Sequence, residues 1–211
     1  MKEYLGRRKV LKEKINNHLT QLTKVKADYF SKFNQSDFLK LKTVLTDVNN
    51  VLTLKLTLKA AKWLGKIFEL SSAFIKTNSV IIDQQKPNTA GFDIVIEFPY
   101  KIIAEVKCLV PVNDGYEYGA MQWIGIMNDV IKLKKGTKKI TNTDSYFKFI
   151  FLLNLGAKTD KAIEKLLKDS KATSNDLNRI ARHEIKQWLV EYQNESFRKL
   201  DIKMVHLVKL K

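Results

Sequence analysis

The stretch GFDIVIEFPYKIIAEVKC, residues Gly91 to Cys108, sets Asp93, Glu105 and Lys107 among aliphatic and aromatic residues that otherwise read as buried. An isolated charge in an apolar strand is costly unless it pairs or holds an ion. Side chains alternate between faces along a strand. Asp93, Val95 and Glu97 therefore share one face of the first run, and Phe92, Ile94, Ile96 and Phe98 the other. In the second run Ile103, Glu105 and Lys107 share a face, opposed by Ala104, Val106 and Cys108. A three-residue loop over Phe98-Pro99-Tyr100 joins the runs as a hairpin and puts Asp93 directly across from Glu105.

Cross-strand neighbours on one face lie roughly 4.5–5.5 Å apart at Cβ, and like charges so placed repel. A cation between the two carboxylates removes the repulsion, and oxygen ligands of this kind suit Mg²⁺. The Val106 carbonyl is a further ligand candidate, and Lys107 brings an ammonium to the same face. Such a group suits hydrolysis of a phosphodiester: the metal polarises the phosphoryl oxygen and acidifies a water, and the lysine orients or deprotonates that water and adds positive charge in the transition state. The alternative is a half-exposed strand face with a Glu–Lys pair and a solvated aspartate, which leaves the facing acids unexplained.

Outward from the hairpin, residues 1 to about 76 read as helical. Leu11, Ile15, Leu19, Leu22 and Val25 recur at spacings of three and four, Ser36 is a candidate N-cap, and a further helix runs over about 58–75. SVIID is read as a first strand with Asp83 at its turn. After the hairpin come a helix in YGAMQWIGIMNDVIKL, a strand in SYFKFIFLLNL, helices over about 158–169 and 175–194, and a closing strand in DIKMVHLVKL. A chain of 211 residues suits one mixed α/β domain. Its expected parts are a helical N-terminal region (1–57), a core (58–155) and C-terminal helices with a strand (156–211).

Asp93 followed by Glu105-Val106-Lys107 on the next strand resembles the D…(D/E)-x-K signature of the PD-(D/E)XK nuclease superfamily, which includes most type II restriction endonucleases. The resemblance covers about residues 60 to 155. It implies a restriction-endonuclease-like central mixed β-sheet flanked by helices, and Mg²⁺-dependent DNA cleavage with Asp93 and Glu105 holding the metal and Lys107 assisting. Phe92 stands where the signature has proline. A second E-x-K, Glu184-Ile185-Lys186, falls in a helical pattern without a strand acid before it and is set aside. Glu69 sits on the helix before the sheet, where many relatives carry another carboxylate. Gln122, on the helix after the E-x-K strand, is a candidate for binding a phosphate or the attacking water.

The charge fits the same reading. With 38 basic and 22 acidic residues the net charge is +16, which favours a polyanionic partner, either nucleic acid or an anionic membrane surface. Only five residues are arginine, and Arg179 and Arg182 fall beside Lys186 opposite the apolar stripe of the 175–194 helix, a candidate base-reading face. Lys134, Lys135 and Lys138 in KLKKGTKK are candidates for phosphate contacts. Cys108 is the only cysteine, which points to a reducing cytoplasm, and no apolar run is long enough to span a bilayer. No GxxxxGK[ST] or HExxH occurs. The expectation is a type II restriction endonuclease acting on double-stranded DNA as a homodimer, with the stripe of Leu11, Ile15, Leu22 and Val25 as a candidate interface. Its rivals are a structure-selective nuclease of junction-resolvase or repair type and a DNA-binding module without catalysis.

Overall fold

The computed structural model describes residues 2–84, 91–112, 116–168, 185–193 and 196–211, with side chains from Gly6 onward. The chain divides into two compact units, Met1–Asn49 and Asn50–Lys211.

The first unit holds α1 (Lys2–Thr23), α2 (Tyr29–Lys32) and the start of α3 (Gln35–Ile67). α1 ends where Lys24 adopts φ 61° and its N–H reaches the Thr20 carbonyl. Asp28 caps α2 and is gripped by α1: Lys12 Nζ donates to it at 2.6 Å and Asn16 Nδ2 at 3.0 Å. Those bonds, Lys12 first, hold its carboxyl below the usual range. The cap of α3 is Asn34 rather than Ser36. Asn34 Oδ1 accepts from the Asp37 N–H and Asp37 Oδ2 from the Asn34 N–H, a reciprocal pair that satisfies two otherwise orphaned donors. Of the stripe on α1, Leu19 is buried while Leu11 and Leu22 are exposed; Val25 lies beyond the helix, also exposed.

The second unit contains the rest of α3, then α4 (Ser72–Gln84), β1 (Ile94–Ile96), β2 (Ile102–Lys107), α5 (Ala120–Lys135), β3 (Phe147–Leu153), α6 (Ala157–Leu167), β4 (Leu189–Glu191) and β5 (Val205–Leu210). The strands form one mixed sheet in the order β1-β2-β3-β5-β4. β1 is antiparallel to β2, and the other neighbours are parallel. Parallel neighbours need a crossover, and α5 supplies the one between β2 and β3. Strands covered on both faces read as continuous apolar runs, as IIAEV and FKFIFLL do. On one face Leu56, Ala60, Leu64 and Phe68 pack with Ile82 of α4 against Ile102, Ala104, Val106, Phe149 and Phe151. On the other, Ile126, Met127, Val130 and Leu133 of α5 and Ile163 and Leu166 of α6 cover Ile103, Ile150, Leu152 and Leu207. Among the described residues the chain is thus mixed α/β, with a five-stranded mixed sheet flanked by helices.

Several local readings change. SVIID lies inside α4, with Asp83 in its last turn. A short apolar run fits a buried strand or a helix equally well, and the preceding residues decide. Thr77, Asn78 and Ser79 turn their side chains onto the carbonyls of Ala73, Phe74 and Ile75, which accommodates them in a helix. The expected 58–75 helix is broken after Ile67. There Leu70 N–H bonds the Gly65 carbonyl and Glu69 N–H the Lys66 carbonyl, with Glu69 at φ 55°. That is a Schellman end. The 175–194 helix does not extend through Leu189–Glu191, which is strand β4: Val205 N–H bonds the Trp188 carbonyl and Tyr192 N–H the Leu207 carbonyl, pairing backbone groups of β5. Arg179, Arg182 and Glu184 lie outside the described residues.

Glu69 is therefore in a left-handed turn, exposed to solvent. Glu69→Gly relieves the Cβ strain and is expected to raise stability by about 1 kcal/mol in urea unfolding. DNA cleavage that survives in this variant removes Glu69 from the candidate catalytic residues.

Candidate active site

The hairpin register pairs Ile94 with Ala104, Val95 with Ile103 and Ile96 with Ile102. Continued by one residue, it sets Asp93 opposite Glu105. Asp93 stands just before β1, and its Oδ2 accepts the Val106 N–H at 2.7 Å. The side chain thus replaces the main-chain partner that β1 no longer offers to Val106. In a strand the N–H and C=O of one residue point the same way, so the Val106 carbonyl is directed to this same edge. The oxygens that a cation could use here are those of Asp93, Glu105 and the Val106 carbonyl. Among the described residues, no three His, Cys, Asp or Glu side chains are arranged to hold a metal.

α5 adds two charges. Lys107 Nζ lies 2.9 Å from Asp129 Oδ2, and Lys132 Nζ donates to Glu105 Oε1 at 2.6 Å. Strand and helix exchange partners: the β2 lysine faces a helix acid, and the β2 acid faces a helix lysine. Asp129 sits on the apolar side of α5, between Met127 and Val130, and is 7% exposed. Its contact with Lys107 is a close ion pair on Oδ2. Lys132 occupies the last turn of the helix and also donates to the Gly91 carbonyl at 2.5 Å. Gly136 ends α5 there at φ 84°, where a Cβ would strike the Ile140 carbonyl.

Glu105 is 4% exposed, and its carboxyl is pushed up to about 8. Burial is the largest cause, the charge of Asp93 the next; the Lys132 hydrogen bond works against both. Asp129 is also raised, by burial first, with Lys107 opposing. For Lys107, burial disfavours the ammonium, but Asp129, Glu105 and Asp93 outweigh it and hold its pKa above the ordinary value. These neighbours favour the ammonium form of Lys107. With all five groups ionised, Asp93, Glu105 and Asp129 against Lys107 and Lys132 leave a net single negative charge in a largely dry site.

Compared with protein-family models, curated proteins and solved structures, the chain matches none of them.

The remaining candidate residues fall elsewhere. Gln122 clamps the start of α5: its Oε1 accepts from Gly119 N–H at 2.9 Å, and its Nε2 donates to the Val110 carbonyl at 2.9 Å. Both ends of the amide are engaged in that turn. The charges that weigh most on Glu105 are Asp93, Lys132 and Asp129, not Glu69. Lys134 donates to the Lys203 carbonyl and stacks over Trp188, whereas Lys135 and Lys138 are exposed. Lys186 donates to the Lys168 carbonyl and lies over Trp123. Asp129 and Lys132 were missed in the sequence. The available signal was an acid on an otherwise apolar helix face, flanked by Ile126, Met127, Val130 and Leu133.

Proposed function

We propose that this chain is a Mg²⁺-dependent endodeoxyribonuclease of the PD-(D/E)XK kind, most like a type II restriction endonuclease. The observation that carries the reading is the buried Glu105 facing Asp93 in hairpin register, with Lys107 two residues on and held as an ammonium by Asp129. Facing carboxylates in a dry site are costly without a cation. Hard oxygen donors of this number suit Mg²⁺, which completes its shell with water and phosphate oxygens and needs no closed protein cage.

Asp93, Glu105 and the Val106 carbonyl are the residues that would hold the ion. When bound, Mg²⁺ supplies a polarised phosphoryl oxygen and an acidified water. Lys107 stabilises the negative charge that grows on the phosphate, an electrostatic role that the neighbouring acids favour by raising its pKa. Asp129 sets the direction of that ammonium and keeps it charged. Val106 N–H orients the Asp93 carboxylate. The net charge of +16 supplies attraction for a polyanionic strand, and exposed Lys135 and Lys138 are suited to phosphate contacts. Cutting both strands with one such site per chain calls for a twofold dimer, with exposed Leu11 and Leu22 as a candidate interface. No helix among the described residues is long and apolar enough to cross a membrane.

The test is digestion of long, unmethylated linear DNA, with branched DNA in parallel. Discrete fragments that appear with Mg²⁺ and vanish with EDTA are the expected result. Cutting confined to branch points moves the assignment to a junction resolvase. Binding without cleavage of either substrate in Mg²⁺ or Mn²⁺ overturns the nuclease reading in favour of a binding module.

A further inference from the structure

Lys132 enters the cluster from α5 with the charge sign of the ion that the site is proposed to take. Its ammonium is 2.6 Å from Glu105 Oε1 and 2.5 Å from the Gly91 carbonyl, and it lies 5.4 Å from the centroid of the Phe92 ring. A carboxylate, a main-chain carbonyl and an aromatic face are each a recognition element for a cation. Gly91 and Phe92 immediately precede Asp93, so the ammonium ties the entry of the hairpin to the acid on β2. The two lysines of the cluster differ in their partners. Lys107 faces Asp129, an acid outside the hairpin, whereas the acid of Lys132 is Glu105 itself.

The backbone of Lys132 is fixed, because its carbonyl accepts the Gly136 N–H that closes α5. Its side chain is 32% exposed, which leaves the ammonium a path to water on a flexible four-carbon stem. An ammonium and a divalent cation on one carboxylate oxygen repel each other strongly at low effective dielectric. A cation that takes Oε1 must therefore displace the ammonium that now occupies it.

We propose that Lys132 is a resident partner of the site: it occupies Glu105 Oε1 in the metal-free protein and is displaced from it by a divalent cation, so that it sets how readily the site loads. The proposal rests on the reading of Asp93 and Glu105 as a metal site. It assigns Lys132 no contact with the substrate. Its role is that of a built-in competitor, which keeps the site closed to metal at low concentration and preserves the buried acid in a paired state until then.

The experiment is calorimetric titration of Mg²⁺ and Mn²⁺ into the full chain without DNA, for wild type, Lys132→Gln, Lys132→Arg and Asp93→Asn. Glutamine keeps a donor for Glu105 and Gly91 but removes the charge; arginine keeps the charge. Lys132→Gln is expected to bind either metal about tenfold more tightly than wild type, with Lys132→Arg close to wild type. Equal or weaker binding by Lys132→Gln overturns the proposal. If that equal binding is lost in Asp93→Asn, the metal site stands and only the role of Lys132 falls. Binding by neither wild type nor Lys132→Gln overturns both. Should Lys132→Gln fail to fold, amine acylation of wild type read by mass spectrometry decides: Mg²⁺ is expected to speed labelling of Lys132, and an unchanged rate overturns displacement.

Discussion

Asp93→Asn is expected to reduce DNA cleavage at least about a hundredfold, the scale seen when one charge-stabilising group is lost from an active site. It should leave the melting temperature close to wild type. The asparagine Oδ1 can still accept the Val106 N–H, so the hairpin keeps the bond that Asp93 makes at 2.7 Å while the metal loses an anionic ligand. Lys107→Ala should cost as much activity but is a poorer probe on its own. It strands Asp129, which is 7% exposed and has Lys107 as its ion partner. Leaving one half of such a pair costs roughly 1–3 kcal/mol for a lysine that is partly solvated. Lys107→Ala with Asp129→Asn should regain that stability and none of the cleavage. Activity and stability measured across the four proteins separate the catalytic role from the structural one. Near-normal cutting by Asp93→Asn would sink the assignment.

The second large effect is in stability against pH, measured with EDTA present. The Glu105 carboxyl is raised to about 8 from the value near 4.5 that an unfolded chain shows. Between those two values the native state binds more protons than the unfolded state, so stability falls as pH rises through that window. The protonated acid contributes fully below about pH 4.5, and the contribution is gone above about 8. A displacement of this size corresponds to a few kcal/mol. Glu105→Gln, neutral throughout and still able to accept from Lys132, should flatten the profile between pH 5 and 8 and exceed wild type in stability at the alkaline end. Wild type should regain the lost stability at pH 8 when Mg²⁺ is added, because metal binding requires the ionised acid. The variant should show no such gain. A wild-type profile as flat as that of Glu105→Gln removes Glu105 as a buried, strained acid.

Much of the hairpin is legible in the sequence. Alternation at a period of two and a short loop around Pro99 set the register, and that register brings Asp93 to Glu105. Such contacts are local: few residues separate the partners, and one parity error would turn every side chain to the other face. The strands at 147–153 and 205–210 and the helix at 120–135 are legible for a similar reason, since their apolar patterns are long enough to have one interpretation. SVIID and Leu189-Val190-Glu191 are too short for that. The first became helix because its neighbours already were, and the second became strand because β5 offered a backbone edge to pair.

The sequence by itself determined the facing acids, the lysine beside them and the mixed α/β character, all of which follow from periodicity and burial within a few tens of residues. Only the tertiary structure decided the electrostatics of the site. Asp129 and Lys132 are three apart on α5, and nothing in that spacing says which strand they meet. Their partners follow from how the helix is rotated about its own axis as it packs Ile126, Met127, Val130 and Leu133 against β2 and β3. That rotation gives Asp129 to Lys107 and Lys132 to Glu105. Low effective dielectric then makes these neighbours, rather than the motif alone, set which groups are charged.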